Sequence, residues 1–353
     1  MLKVTFRSGV NVAVLCAAAS LLCAAPSTAG FPPPFTQLPP GDHLRFHVYR
    51  ATQISKHQIT GISCPKTAWC MAVDEAGDII HYSDGTWSPP RQVDRGSKAN
   101  GDAGDGSWYG VSCPSTSWCM AVSYEDGYSI YKNGSWSTPT ITGGDGAGTG
   151  VSCTSSKFCA VAELHEGASF YDSGHWTNTE NDLSGLQGST PISCAGGTTY
   201  PVFCMEVDND GDYSTTTDDV HWSHPHLIDH QAGVDSAAVS CLGKSFCVAG
   251  FQRDNRAAGW NGTSWTAAST WATSNHDGTP AVSCTSQQNC AVIDGDGSAQ
   301  YGVGGIGWDG GQIFDTSGPP PTAASCATLA LVCQVGDADG FVYQISWADS
   351  VNG

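Results

Sequence analysis

Polar and apolar residues alternate along this chain in short runs separated by Gly, Asn, Asp and Ser, the pattern of half-buried strands joined by tight turns. One such run is His43-Leu-Arg-Phe-His-Val-Tyr-Arg50. Others recur as a unit. Gly110-Val-Ser-Cys, Gly150-Val-Ser-Cys, Ala238-Val-Ser-Cys and Ala281-Val-Ser-Cys each open one, and the second cysteine is followed by Met71-Ala-Val-Asp, Met120-Ala-Val-Ser, Ala160-Val-Ala-Glu or Ala291-Val-Ile-Asp. A Gly-containing acidic turn comes next, then a strand with an aromatic residue (Tyr82, Tyr131, Tyr171, Trp260, Tyr301), then a turn such as Ser83-Asp-Gly, Lys132-Asn-Gly or Asn261-Gly. A tryptophan closes the unit: Trp87, Trp136, Trp176, Trp222, Trp265 and, with weaker spacing, Trp308. Asn-Gly and Asp-Gly between alternating runs are hairpin signals, so each unit is expected to be four short antiparallel strands, A to D.

The cysteines count the units. Setting aside Cys16 and Cys23, fourteen remain as seven local pairs: Cys64 and Cys70, Cys113 and Cys119, Cys153 and Cys159, Cys194 and Cys204, Cys241 and Cys247, Cys284 and Cys290, Cys326 and Cys333. The first cysteines recur at intervals of 49, 40, 41, 47, 43 and 42 residues, a period that signals a solenoid, propeller or array. Seven four-stranded units of about 44 residues predict an all-β seven-bladed β-propeller, an architecture that leaves only short protected strand edges. The seventh unit ends at Trp347, too near the end of the sequence for a full fourth strand. Leu44 to Tyr49 is therefore expected to supply strand D of the last blade and close the ring.

In an exported chain, seven regularly spaced pairs are a disulfide framework, one per blade from strand A to strand B. Each closes a loop of about seven residues, worth about 2 kcal/mol in the chain-entropy model. Zinc is the alternative use of paired cysteines, but structural zinc sites favour C-x2-C to C-x4-C spacing, and five of these pairs are C-x5-C. Export is indicated by the first residues. Lys3 and Arg7 precede an apolar run from Val10 to Ala25, and Ser27-Thr-Ala29 is a small-residue cleavage pattern. Leu22 before Cys23 weakens a lipoprotein reading. The expected organisation is a signal peptide over 1–29, a Pro-rich leader over 30–42 and the propeller over 43–353, secreted and without a membrane-spanning run.

Composition excludes several functions. With 14 Lys and Arg against 33 Asp and Glu, the formal net charge is −19 and the few cations are scattered, so neither nucleic acid nor an anionic membrane surface is an expected partner. A hydrophobic share of 40% with 10% aromatics suffices for a core, which excludes a disordered chain. Catalytic motifs are missing: there is no G-x-S-x-G elbow, and His165-Glu166 lacks the second histidine of H-E-x-x-H. Carboxylate pairs for a glycosidase or lyase stay open as an alternative.

Strand direction sorts the charges onto two faces. If strand A runs inward from a face called the top, the B-to-C turns and blade-to-blade loops lie there with Asp74, Glu75, Glu163, Asp337 and Asp339, while Lys66, Lys132, Lys157 and Lys244 fall at the bottom. An acidic top favours cations or cationic partners. Calcium is the candidate ion, because Asp208-Asn-Asp210-Gly-Asp212, Asp294-Gly-Asp296-Gly and Asp337-Ala-Asp-Gly340 offer clustered hard oxygen donors, although none is a full EF-hand loop. His221, His224 and His226 form a second candidate metal set or a pH sensor.

Trp108, Tyr109 and Trp271 stand outside the aromatic register, in stretches expected to be top loops beside Asp102, Asp105 and His276. Rings and carboxylates together suit a sugar, by stacking and by accepting hydroxyl hydrogen bonds; the alternative is that these rings cap the ends of neighbouring blades.

The Val-Ser-Cys-x5-Cys-x-Ala-Val units with a Gly turn and Asn-Gly-x-Trp ending resemble the disulfide-pinned repeats of secreted actinobacterial propellers over residues 43 to 350. That resemblance extends to lectin-like propellers and to propeller subunits of umbrella-shaped toxin particles. It implies a non-catalytic module that binds a glycan, a cell-surface ligand or a secreted partner protein, monomeric unless built into a particle.

Overall fold

The structure is a computed structural model, described here for residues 45–49, 51–93, 106–123, 127–142, 148–164, 167–178, 186, 190–197, 202–218, 221–228, 237–252, 256–270, 281–295, 297–303, 307–313, 318–327 and 332–348. The expected signal peptide and leader, and Leu44, lie outside these residues. Seven antiparallel sheets form in chain order. Their first two strands, A and B, are Ile59–Lys66 and Trp69–Asp74 in blade one, Trp108–Ser115 and Trp118–Ser123 in blade two, and Gly148–Ser155 and Phe158–Glu163 in blade three. Blade four has Ile192–Gly196 and Val202–Val207, blade five Ala237–Gly243 and Phe246–Phe251, blade six Ala281–Ser286 and Asn289–Ile293, and blade seven Pro321–Cys326 and Val332–Asp337. The A strands contact one another around the full circle, the last returning to Ile59–Lys66. Blade seven takes its fourth strand from Arg45–Val48, with Phe46 opposite Trp347 and Val48 opposite Ile345, as the alternating run before the first cysteine predicts.

Each cysteine pair is bonded. The seven Cα–Cα separations run from 3.9 to 4.2 Å, because facing positions across an A–B hairpin bring the two side chains together. The residue before each first cysteine does a second job. Strand A is innermost, so one of its edges has no strand partner, and its outward N–H groups need an acceptor. Ser63 Oγ accepts the N–H of Cys113 at 2.9 Å, Ser112 that of Cys153, Ser152 that of Cys194, Ser193 that of Cys241, Ser240 that of Cys284, Ser283 that of Cys326, and Ser325 that of Cys64 at 3.0 Å. The seven bonds close a ring. Threonines of the same strands treat the carbonyls likewise: Thr60 Oγ1 donates to Trp108 O at 2.6 Å, Thr149 Oγ1 to Thr190 O at 3.2 Å, and Thr322 Oγ1 to Ile59 O. Neighbouring A strands come so close that a Cβ on Gly61 would lie 3.0 Å from Gly110 Cα.

The C–D turns follow their sequences. Asp84-Gly85, Asn133-Gly134 and Ser173-Gly174 all have positive φ at both positions, the type I′ geometry of a two-residue hairpin. Asn261-Gly262 differs: Trp260 bridges Trp265 across a four-residue loop, in which Asn261 Oδ1 accepts the N–H groups of Thr263 and Ser264. The in-register aromatics fill the blade junctions. Trp176 packs on Tyr171 of its own blade at 5.4 Å and on Tyr128 of the preceding blade at 5.0 Å, and Trp222 and Trp265 reach back in the same way to Phe170 and Tyr213.

One core position breaks the repeat. Two residues past the second cysteine, six blades carry Ala72, Ala121, Val161, Ala249, Val292 and Val335, and blade four carries Glu206. Along its strand Cys204 packs toward blade three and Met205 toward blade five, so alternation turns Glu206 toward the Ala160, Ala162 and Phe170 surface of blade three. Glu206 is 0% exposed, and neither carboxyl oxygen has a partner among the described residues. Burial, and secondarily the Glu163 carboxylate, push its pKa well above the ordinary glutamate range.

Two outcomes follow from these contacts. Replacing Ser152 by Ala leaves the Cys194 N–H without its acceptor and should cost about 1 kcal/mol in urea unfolding, with the disulfides intact. A raised folded-state pKa keeps Glu206 protonated where the unfolded chain is ionised, so the wild type should lose stability with rising pH above the ordinary glutamate pKa. Relative to Glu206→Gln the loss should approach about 1.4 kcal/mol per pH unit until the folded-state pKa is passed, and should vanish in acid. Parallel pH profiles of the two proteins in thermal melts would contradict it.

Candidate functional site

The B–C turns lie at the top and the C–D turns at the bottom, as strand direction requires. At the bottom, the Asp84 and Ser173 N–H groups donate to Ala68 O and Lys157 O of their own A–B loops, and Lys66, Lys132, Lys157 and Lys244 are all exposed there.

At the top, the fourth residue past the second cysteine is Asp74, Asp208, Asp294 or Asp337 in four blades, each nearly or fully buried. One oxygen of each accepts the N–H four residues on: from Asp78 at 2.9 Å, Asp212 at 2.8 Å, Ser298 at 3.0 Å and Phe341 at 2.8 Å. A glycine three residues on, Gly77, Gly211, Gly297 or Gly340, takes the positive φ that the turn requires. These aspartates therefore serve as acceptors for their own turns. For Asp208 and Asp294, expected above among the calcium donors, one carboxylate oxygen is thus already engaged by the turn and the side chain is buried. Asp210 is exposed and Asp212 half-buried, with Asp212 raised by burial and by Asp210 and lowered by His226. Among the described residues, no three Asp, Glu, His or Cys side chains converge as a metal site. Asp296 lies outside them.

The histidine run is also spread out. His221 sits at the bottom, where its Nδ1 is 2.9 Å from Asp218 Oδ2, while His226 pairs with Tyr213 at the top end of the blade. Five residues of extended chain cover about 16 Å, which separates the two rings, and His224 lies exposed between them.

The placement of Trp108 is corrected. It is 0% exposed, being the first residue of strand A rather than part of a loop, and its indole N–H donates to Gly77 O at 3.0 Å. It packs on Val73, Ile79 and Val111 at the junction of blades one and two, which is the capping role. Counting back five residues from Cys113, as Ile59 stands five before Cys64, would have placed it in register. Tyr109 is 40% exposed on the top side. Trp271, Asp102, Asp105 and His276 lie outside the described residues.

A cleft that no sequence pattern announces opens where the ring closes. Its volume is about 340 Å³, and it is lined by Gln53, Ile54, Ser55, Lys56, His57, Asp78 and Pro90. Residues 54–58 cross directly from the closing strand to blade one and are fixed on both sides. The Ile54 and Ser55 N–H groups donate to Gly340 O at 2.9 and 3.2 Å, and Ser55 Oγ donates to Asp74 Oδ2 at 2.6 Å. His57 Nδ1 stands 3.9 Å from Glu75 Oε1. Burial, then the neighbouring Asp74, push the Asp78 carboxyl up, and His57 partly offsets this.

No protein-family model and no curated protein matches the chain. Among solved structures it is similar to YCF48 bound to D1 peptide, with a TM-score of 0.61 at 14% identity over 85% of this chain and 96% of that one. It is also similar to the WD40 β-propeller domain of Doa1, with a TM-score of 0.66 at 10% identity over 86% of this chain and 97% of that one. At such identities the likeness is one of architecture, and it agrees with the ring of seven four-stranded blades.

Proposed function

We propose that the protein is a secreted, non-catalytic recognition module that binds a protein or peptide ligand through its acidic top face. The observation that carries this reading is the uneven charge along the propeller axis: at the top Glu75, Asp78, Asp210, Asp212 and Asp339 reach the surface against Lys56 and Arg91, whereas at the bottom the exposed Lys66, Lys132, Lys157 and Lys244 offset Asp84, Asp172 and Asp218. Such a face attracts a cationic segment over a screening length of about 8 Å at physiological salt. One structural neighbour, YCF48, is bound to a peptide. Seven disulfides fit an extracellular location, since such bonds persist in oxidising compartments. No helix among the described residues is long and apolar enough to cross a membrane. Burial of Trp108 takes one stacking surface from a glycan site, so the peptide reading has the better support.

The test is retention of a peptide library and a glycan panel on the immobilised, oxidised protein at low and high salt. Basic peptides should be held, with affinity falling several-fold at about 0.5 M salt. Retention of a glycan that Tyr109→Ala abolishes would replace this reading with the lectin one, and retention of neither class would overturn it.

A further inference from the structure

Resting on that reading, we propose that the cleft at the ring closure is a subsite for the side-chain cation of an arginine or lysine in the ligand, with Asp78 as the carboxylate that anchors it. At about 340 Å³ the cleft lies at the small end of ligand pockets, on the scale of one long side chain rather than a folded surface. Its lining includes buried Ile54 and exposed Pro90, apolar surfaces against which a methylene stem can lie while its charged end reaches a polar group.

The walls are set before any ligand arrives. Besides the bonds that residues 54–55 make to Gly340 and Asp74, the His57 N–H donates to Ser55 Oγ at 3.0 Å and Gln53 Nε2 donates to Asp339 O at 3.2 Å. Binding therefore orders little chain, which removes a usual cost of association.

Asp78 is the group without a directly paired counter-charge, His57 acting on it only through space. Its N–H is committed to Asp74 Oδ1 at 2.9 Å, yet its carboxylate accepts no hydrogen bond from any described residue and forms no ion pair. Half-buried beside a second carboxylate, it is held in a state that an incoming cation relieves. Three ionisable groups line the opening, Lys56, His57 and Asp78, and Glu75 stands beside His57. Glu75 and Asp78 are acidic, His57 leans toward Glu75, and Lys56 is exposed at the rim with no ion-pair partner among the described residues. Lys56 is thus the competing charge. Its removal should strengthen a basic ligand and weaken an acidic one, which makes the sign of the ligand's charge readable from two variants.

Calorimetric titration of the full oxidised protein with acetyl-Gly-Arg-Gly-amide, and with its Gln and Glu counterparts, tests the assignment. The Arg peptide should bind in preference to both. Asp78→Asn should weaken it about tenfold, and Lys56→Gln should tighten it about threefold, in proteins whose melting temperatures match the wild type. A preference for the Glu peptide, or the reverse order of the two variants, would overturn the subsite. If longer basic peptides bind the wild type but are indifferent to Asp78→Asn, the subsite falls while the binding reading stands; if no peptide binds the wild type, both fall.

Discussion

The inner edge of the ring is the constraint on which this structure depends. Every propeller has a first strand with one edge unpaired, and an exposed edge invites either water or another chain. Here each edge is sealed by the preceding blade, through a serine oxygen that accepts the N–H of the next blade's first cysteine. The adjacent cysteine bonds outward to strand B. Serine and cysteine together therefore tie strand A in two directions, around the ring and along the blade. Individually the bonds are modest, about 1 kcal/mol for the hydrogen bond. Their effect lies in closure, because Ser325 to Cys64 joins the last blade to the first and leaves no terminal edge.

With the ring fixed from inside, the top turns are free to vary, and their acidity divides into two parts. Asp74, Asp208, Asp294 and Asp337 are needed by the turns themselves, as acceptors for N–H groups that would otherwise be unpaired. Glu75, Asp78, Asp210, Asp212 and Asp339 have no such duty to their backbones as acceptors four residues on, and they face outward to differing degrees. Only the second set shapes the field that a partner meets. Counting carboxylates from sequence merges the two and overstates the donors on offer to a metal.

Features carried by a repeat were legible in the sequence. The cysteine period gave the number of blades, the Asp-Gly and Asn-Gly pairs gave the hairpins, and the alternating run before Cys64 gave the closing strand. Trp108 looks like a loop residue by its aromatic neighbours, and only its five-residue spacing from Cys113, the same as that of Ile59 from Cys64, marks it as part of strand A. The serine ring was present as a recurring Val-Ser-Cys, but its partner lies a whole blade away, and no local pattern shows what the hydroxyl meets. Glu206 is visible only when seven blades are aligned by their second cysteines. The cleft was beyond reach in another way, since it joins Gln53 to His57 with Asp78, Pro90 and the turn at Gly340, near the far end of the chain.

That geometry also accounts for why a site should arise at the closure. Elsewhere strand D and the next strand A belong to consecutive blades of one repeating pattern. At the closure the outer strand, Arg45–Val48 and Thr52–Gln53, comes from the opposite end of the sequence to the three strands it completes, and the crossing to Ile59 is short and tightly held. Sevenfold repetition is broken there by necessity, so the residues exposed are not bound by the pattern of the other junctions. A ligand held between Asp78 and the crossing segment would touch both the closing piece and blade one. Because such a ligand binds the closed ring and not the open chain, it would stabilise closure in proportion to its concentration over its dissociation constant. Recognition and ring closure would then be linked through the same few residues.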